Sequence, residues 1–360
     1  MIKRRNMQLK KFLIPAPLML VLLLLTQCGK KDLETLDPYD YQSKKFEAVT
    51  DIPAVEDPDP EVVEPSIGGI ENPPLTLATI TNLETANSEA EINAQTSSNL
   101  DLVFNFADGL SAEFKSAANS IDAAGLERIL DLDQELDEAY DELVSALEQA
   151  PEEVLAVLPS MTLGMGAGEG NRLKMVGGST EGIWEELSNF RITALTDACS
   201  DAANQAYDNK IMSLDHQRDS VIAVLDENYG RRVREADERY TTRSSLFDTH
   251  YESQEEELRN VVNHLFGLIN KMNGFSVVLG QTMRYYAVIY AVQGRLTLQT
   301  YGDQVMELLE ESRDQEKATV LGLYEMRTEE LAGYYEERIN QSNEILERSL
   351  KTCHDQGGGN

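Results

Sequence analysis

From Ile183 to Cys353 the chain contains no proline, and that absence constrains the fold more than any other feature. Proline is excluded from helix interiors because it lacks an amide donor and its ring clashes with the preceding turn. The stretch also carries a helical stripe, with apolar or aromatic residues at Ile211, Leu214, Val221, Leu225, Tyr229, Val233, Ala236 and Tyr240 in steps of mostly three and four. Steps of seven then link Tyr240, Phe247, Gln254, Val261 and Leu268. That is the period of a coiled-coil seam, interrupted by Gln254 itself and near Arg218 and Arg243. Leu298, Tyr301, Val305, Leu308, Leu321, Tyr324, Leu331, Tyr335 and Ile339 repeat the pattern on the far side of the strongest break, NGFSVVLG. Two cysteines bracket the stretch, and Ser276 in the break lies 77 residues from each, Cys199 and Cys353. An antiparallel hairpin turning there brings the two cysteines level, because both arms rise equally per residue. A disulfide between them is expected; two separate thiols, or pairing between chains, are the other outcomes. Arms of this length would be roughly 100 Å long at ~1.5 Å per residue.

The apolar crossing of the hairpin is the most open question in the sequence. Between Lys271 and Arg295 the only charged residue is Arg284. The run FSVVLGQTMRYYAVIYAV is too polar for a clear membrane span and too apolar to stand bare in water. Three arrangements fit it. The preceding helices or a kinked arm cover it; or Phe275, Val277, Val278, Tyr285, Tyr286, Val288 and Tyr290 form an interaction tip for a protein partner or a second copy; or residues 274–293 insert into a membrane. The layout of the third arrangement faintly resembles alpha-helical pore-forming toxins, in which an apolar hairpin joins long helices.

The amino terminus indicates an address. A basic segment, MIKRRNMQLKK, precedes an apolar run from Phe12 to Leu25 that is short for a bilayer and interrupted by Pro15 and Pro17. Leu25, Thr26, Gln27 and Cys28 follow. These residues resemble the bacterial lipoprotein signal, which implies that residues 1–27 are removed and that Cys28 is acylated and becomes the mature amino terminus. Gly29 in place of an aspartate implies an outer-membrane address. Two or more acyl chains make a stable anchor, whereas one binds only reversibly.

Charge narrows the partners. The formal net charge is -32, and removing residues 1–27, with five basic and no acidic side chains, leaves 26 basic against 63 acidic residues, or -37. Such a polyanion is repelled by phosphate backbones, so nucleic acid is excluded as a partner. The expected partners are the membrane, through the lipid, and a cell-envelope protein or a second copy.

Residues 28–98 read as an acidic tether; the other outcome is that part of the segment lies along the body as ordered coil, docked through Val62, Val63, Ile67 and Ile70. Seven of the eleven prolines lie between Pro38 and Pro74, around DIPAVEDPDPEVVEPSIGG, and proline with repelling acids favours extended chain. At roughly 3 Å per residue its reach would exceed about 100 Å. Residues 99–160 read as a small helical module, from Leu102, Val103, Phe106, Leu110 and Phe114 and then Leu126, Ile129, Leu130, Leu136, Tyr140 and Leu143. In its second helix, Asp131, Asp133, Glu135, Asp137 and Glu142 imitate the spacing of a calcium loop. Leu136 stands where such a loop needs glycine, so a solvated helix face is expected there. Residues 161–182 form a glycine-rich loop without the GK[ST] ending of a phosphate loop. The hairpin occupies 183–353, and 354–360 is a flexible tail.

His216, His250, His264 and His354 lack the acidic neighbours of zinc-protease or di-iron helices, and no serine sits in a nucleophile elbow. No metal, cofactor or catalytic residue is expected. The expectation is therefore an all-α protein, an elongated helical bundle with a long antiparallel coiled-coil-like hairpin preceded by a disordered tether. Functionally it reads as a non-enzymatic envelope lipoprotein serving as scaffold, spacer or interaction protein. The alternatives are a membrane-active protein using residues 274–293 and a cation or ligand binder using the acidic helices.

Overall fold

A computed structural model describes residues 39–164 and 198–357. Cys28 with its signal, most of the glycine-rich stretch, the start of the first long helix at Ile183 and the last three residues lie outside them. The described chain is helical, and it divides into two compact units. One contains residues 39–54, 198–220 and 331–357, the other residues 55–164 and 221–330.

Two long helices contribute to both units: α8, Ala198–Gly267, and α10, Val277–Gly357. A short α9, Ile269–Phe275, follows Leu268, which stays helical at φ -76° and ψ -16°. The break therefore falls on one residue, Ser276, extended at φ -157° and ψ 140°. Its amide still donates to Met272 O at 2.9 Å, while its hydroxyl accepts from the Val278 amide at 3.2 Å. One serine ends one helix and caps the next, which is how serine serves at an N-terminus.

In the first unit the arms pair antiparallel about that break. The Cys199–Cys353 disulfide is formed, with the Cα atoms 5.7 Å apart. The Tyr207 hydroxyl donates to Asn343 Oδ1 at 2.7 Å, and that of Tyr335 to Asp215 Oδ1 at 2.6 Å. Helix α1, Asp40–Phe46, packs here. Phe46 joins Ala203, Ala206, Leu346 and Leu350 in one buried cluster, and Val49 joins Leu214, Tyr335 and Ile339 in a second.

In the second unit the arms keep the same symmetry about Ser276. Arg239 bonds Glu316, Phe247 stacks edge-on against Tyr301, and a side chain at Gly294 would lie 2.5 Å from Leu258. Around them folds the small module: β1 Gly69–Glu71, α2 Pro74–Thr85, α3 Ala94–Asp108, α4 Ala112–Ser120, α5 Ala123–Leu130, α6 Asp141–Leu147, α7 Glu152–Leu155 and β2 Ser160–Thr162. The strands pair antiparallel, Ile70 opposite Met161. Gly68 makes the approach possible: at φ +67°, any Cβ would stand 1.9 Å from the Thr162 carbonyl. Asn93, Ser111 and Asp122 each cap the helix that follows.

Three expectations are corrected here. The chain read as a tether over 28–98 is not free from residue 39 onward: α1 docks in the first unit, while β1, α2 and the start of α3 belong to the module in the second. The buried face of α2 includes Thr76 and Thr79 beside Ile80 and Leu83, so its apolar stripe is half hidden by polar residue types. The acidic run Asp131 to Asp137 is a loop between α5 and α6, not a helix face. Arg295, 5% exposed, donates to the carbonyls of Ile129, Asp131 and Gln134 and holds that loop out of helical geometry. The third correction concerns the tip and follows.

Candidate functional site

The residues expected to form an interaction tip separate into two groups. Tyr285, Tyr286, Val288 and Tyr290 are at most 2% exposed, inside the core of the second unit. Residues 285–292 are buried without interruption, so this part of α10 is apolar on all sides because it is covered on all sides. The buried hydroxyls are satisfied locally. Tyr286 shares a 2.8 Å bond with Thr76 Oγ1 and donates to Val157 O at 3.2 Å, and Tyr290 donates to Asn72 Oδ1 at 2.7 Å. Burial pushes both phenols well above the ordinary tyrosine range. Phe275 is half-buried, and Val277 and Val278 remain open at 78% and 55%. The offered tip is thus two valines at the first turn of α10, not an aromatic patch.

The disulfide is not a bare cross-link. Gln42 on α1 is fully buried, and its Nε2 donates to Cys199 Sγ at 3.3 Å and to Cys353 Sγ at 3.4 Å. The Tyr41 hydroxyl lies 3.4 Å from Cys199 Sγ, and Lys45 Nζ donates to Ser349 Oγ at 3.3 Å. Just beyond α1 the chain runs extended. Asp51 accepts from Gln217 and pairs with Lys210 at 3.6 Å. These contacts, the Gln217 hydrogen bond first, hold its carboxyl below the usual range.

In the second unit the extended acidic segment meets a row of arginines on α8. Arg232, 3% exposed, donates to Asp57 Oδ1 at 2.7 Å, to the Asp57 carbonyl at 2.8 Å and to Asp59 Oδ1 at 2.8 Å. Arg231 adds a second contact to Asp59, and Arg243 links Glu64 with Glu316. The DPDP order explains the fit. Prolines hold the segment extended, and residues two apart in extended chain face the same way, so Asp57 and Asp59 present together. Hydrogen bonding from Arg231 and Arg232 holds Asp59 below the usual carboxylate range, and that from Arg243 does the same for Glu64. The breaks in the heptad pattern at Arg243 and Gln254 are therefore docking points, since Gln254 Oε1 accepts from the Ile70 amide at 2.6 Å. Sequence reasoning missed the pairing of these acids because their partners lie about 170 residues away, for example Asp57 and Arg232.

An open cleft of about 460 Å³ beside this row is lined by Glu64, Glu235, Glu238, Arg239, Thr242, Arg243 and Leu246. Among the described residues no group of three or more His, Cys, Asp or Glu side chains is placed to hold a metal ion. No described helix is long and apolar enough to cross a membrane. No family model, curated protein or solved structure matches the chain.

Proposed function

We propose that the protein is a non-enzymatic lipoprotein of the bacterial cell envelope, anchored to the outer membrane through acylated Cys28 and acting as a structural spacer or interaction protein through its helical hairpin. The observation that carries this is the hairpin itself. Two helices of 70 and 81 residues pair symmetrically about one serine and are closed at the far ends by a disulfide. Both helices carry exposed charged side chains along much of their length, and a disulfide of this kind persists in an oxidising envelope but not in a reducing cytosol. Partners are a further envelope protein or a second copy.

The test is made in cells. Cys28→Ser should move the protein from the membrane to the soluble fraction and remove acyl mass from the mature terminus. A photocrosslinker at Val277 or Leu246, both open to solvent, should give a discrete protein adduct. Unchanged partition and mass in the serine variant would sink the lipoprotein assignment. The membrane-active alternative keeps only Val277 and Val278 as exposed large apolar residues of segment 274–293, and dye leakage from vesicles at micromolar protein would revive it. The cation-binding alternative calls for a calcium-dependent rise in melting temperature at constant ionic strength.

A further inference from the structure

We propose that α1 is a lid over the Cys199–Cys353 disulfide, one that must lift before a thiol reductant can open the bond. Both sulfur atoms are in contact with α1. Gln42 is fully buried, and its Nε2 lies 3.3 Å from Cys199 Sγ and 3.4 Å from Cys353 Sγ, with the Tyr41 hydroxyl 3.4 Å from Cys199 Sγ. The cysteines themselves are 8% and 4% exposed. Opening a disulfide requires a thiolate to reach one of its sulfur atoms, so the rate follows access as well as thiol chemistry. A side chain against both sulfurs, with no surface of its own open to solvent, occupies that approach.

Three contacts keep the lid shut. Phe46 is buried among Ala203 and Ala206 of α8 and Leu346 and Leu350 of α10, its ring 6.2 Å from that of Tyr207. Val49 is buried with Leu214, Tyr335 and Ile339. Lys45 Nζ donates to Ser349 Oγ at 3.3 Å and lies 5.1 Å from the centre of the Tyr41 ring. Phe46 and Val49 each pack on both arms, so a seated α1 favours level arms, as the disulfide does. The coupling is reciprocal: the seated lid protects the bond, and the intact bond favours the seat. In reduction by a dithiol, one thiolate attacks a sulfur and forms a mixed disulfide while the other cysteine leaves and takes up a proton. The second thiol then displaces the remaining cysteine, which is protonated in turn, and the reductant ends as a disulfide. The first of these steps needs the space that Gln42 fills.

The test exposes the full folded protein to dithiothreitol, blocks new thiols with iodoacetamide at timed intervals and counts the label on Cys199 and Cys353 by peptide mass. Phe46→Asp, which unseats α1, should speed labelling by about tenfold or more, because local opening no longer limits access. Gln42→Ala, which opens a gap over the sulfurs while Phe46 and Val49 hold α1 in place, should speed it by about threefold. Tyr207→Phe is the control for general loosening: it removes the bond to Asn343 but no contact over the sulfurs, and should leave the rate unchanged. If Phe46→Asp unfolds the whole unit, seen as lost hydrogen-exchange protection in residues 203–214, the comparison of Gln42→Ala with Tyr207→Phe decides alone. An unchanged rate in Gln42→Ala, or an equal gain in Tyr207→Phe, would overturn the lid. So would labelling of the unaltered protein as fast as that of Phe46→Asp.

Discussion

The two units use the same pair of helices but are held together differently. In the second, forty buried apolar side chains among the described residues make one continuous cluster. In the first, two clusters of five and four do the work beside a disulfide. A unit with so little apolar burial needs covalent or ionic help to offset the entropy of ordering its chain. The difference shows where each substitution should matter: packing in the second unit, cross-links in the first.

The sharpest way to break this contrast is Val288→Asp. An unpaired carboxylate in the fully buried part of α10 should cost more than about 4 kcal/mol and abolish the cooperative melt of the second unit. A folded, cooperative variant would mean that the core is not what holds it. Cys199→Ser should come next, at about 2–5 kcal/mol for so long a loop. Hydrogen exchange should rise in residues 199–214 and 335–353 and stay unchanged in 285–292; equal loss in both would erase the distinction. Arg232→Met leaves the Asp57 carboxylate, 8% exposed, with no cation and only the Asn228 amide as donor, and should cost about 3 kcal/mol, read as a lower melting temperature and faster cleavage within residues 55–66. Tyr286→Phe should cost only about 1 kcal/mol, because Thr76 keeps its bond to the Val157 carbonyl.

The smallest effect is on the strap in acid. Asp51 and Glu64 have folded pKa values below their ordinary ones. Their contribution is complete above the unfolded values and is lost as pH falls through the depressed folded values. A solvatochromic label at Val62 should therefore report strap loosening only below the ordinary carboxylate range of about pH 4, and no change above about pH 5. Loosening on the alkaline side would contradict the direction.

Much of this was legible in the sequence. The absence of proline after Ile183, the seven-residue steps and the equal spacing of Cys199 and Cys353 from Ser276 required only helical geometry, and the hairpin and its disulfide follow from them. The small module was legible in part: Val103, Phe114 and Leu126 announced helices, but the period through Leu136 and Tyr140 continued across what is a loop. Periodicity cannot register a buried arginine reaching that backbone from another element. Residues 39–98 were the least legible. Proline and acid do disfavour helix, and the segment has neither helix nor strand over 50–68. Composition does not reveal whether an extended acid faces water or an arginine, and α2 hid its inner face behind Thr76 and Thr79. The apolar crossing was recognised as exceptional, and covering by the preceding helices was among its three arrangements, but residue types alone did not separate the covered Tyr285, Tyr286, Val288 and Tyr290 from the open Val277 and Val278.

Arg295 carries one last consequence. The loop from Asp131 to Asp137 has the carboxylate spacing of a metal-binding turn, and its backbone oxygens converge on a positive charge. That charge is a guanidinium built into α10, donating to the carbonyls of Ile129, Asp131 and Gln134. Unlike an ion drawn from solution, it has no dissociation constant: chelators cannot strip it, and its occupancy is fixed at translation. The order that this contact gives the loop is thus genetically encoded.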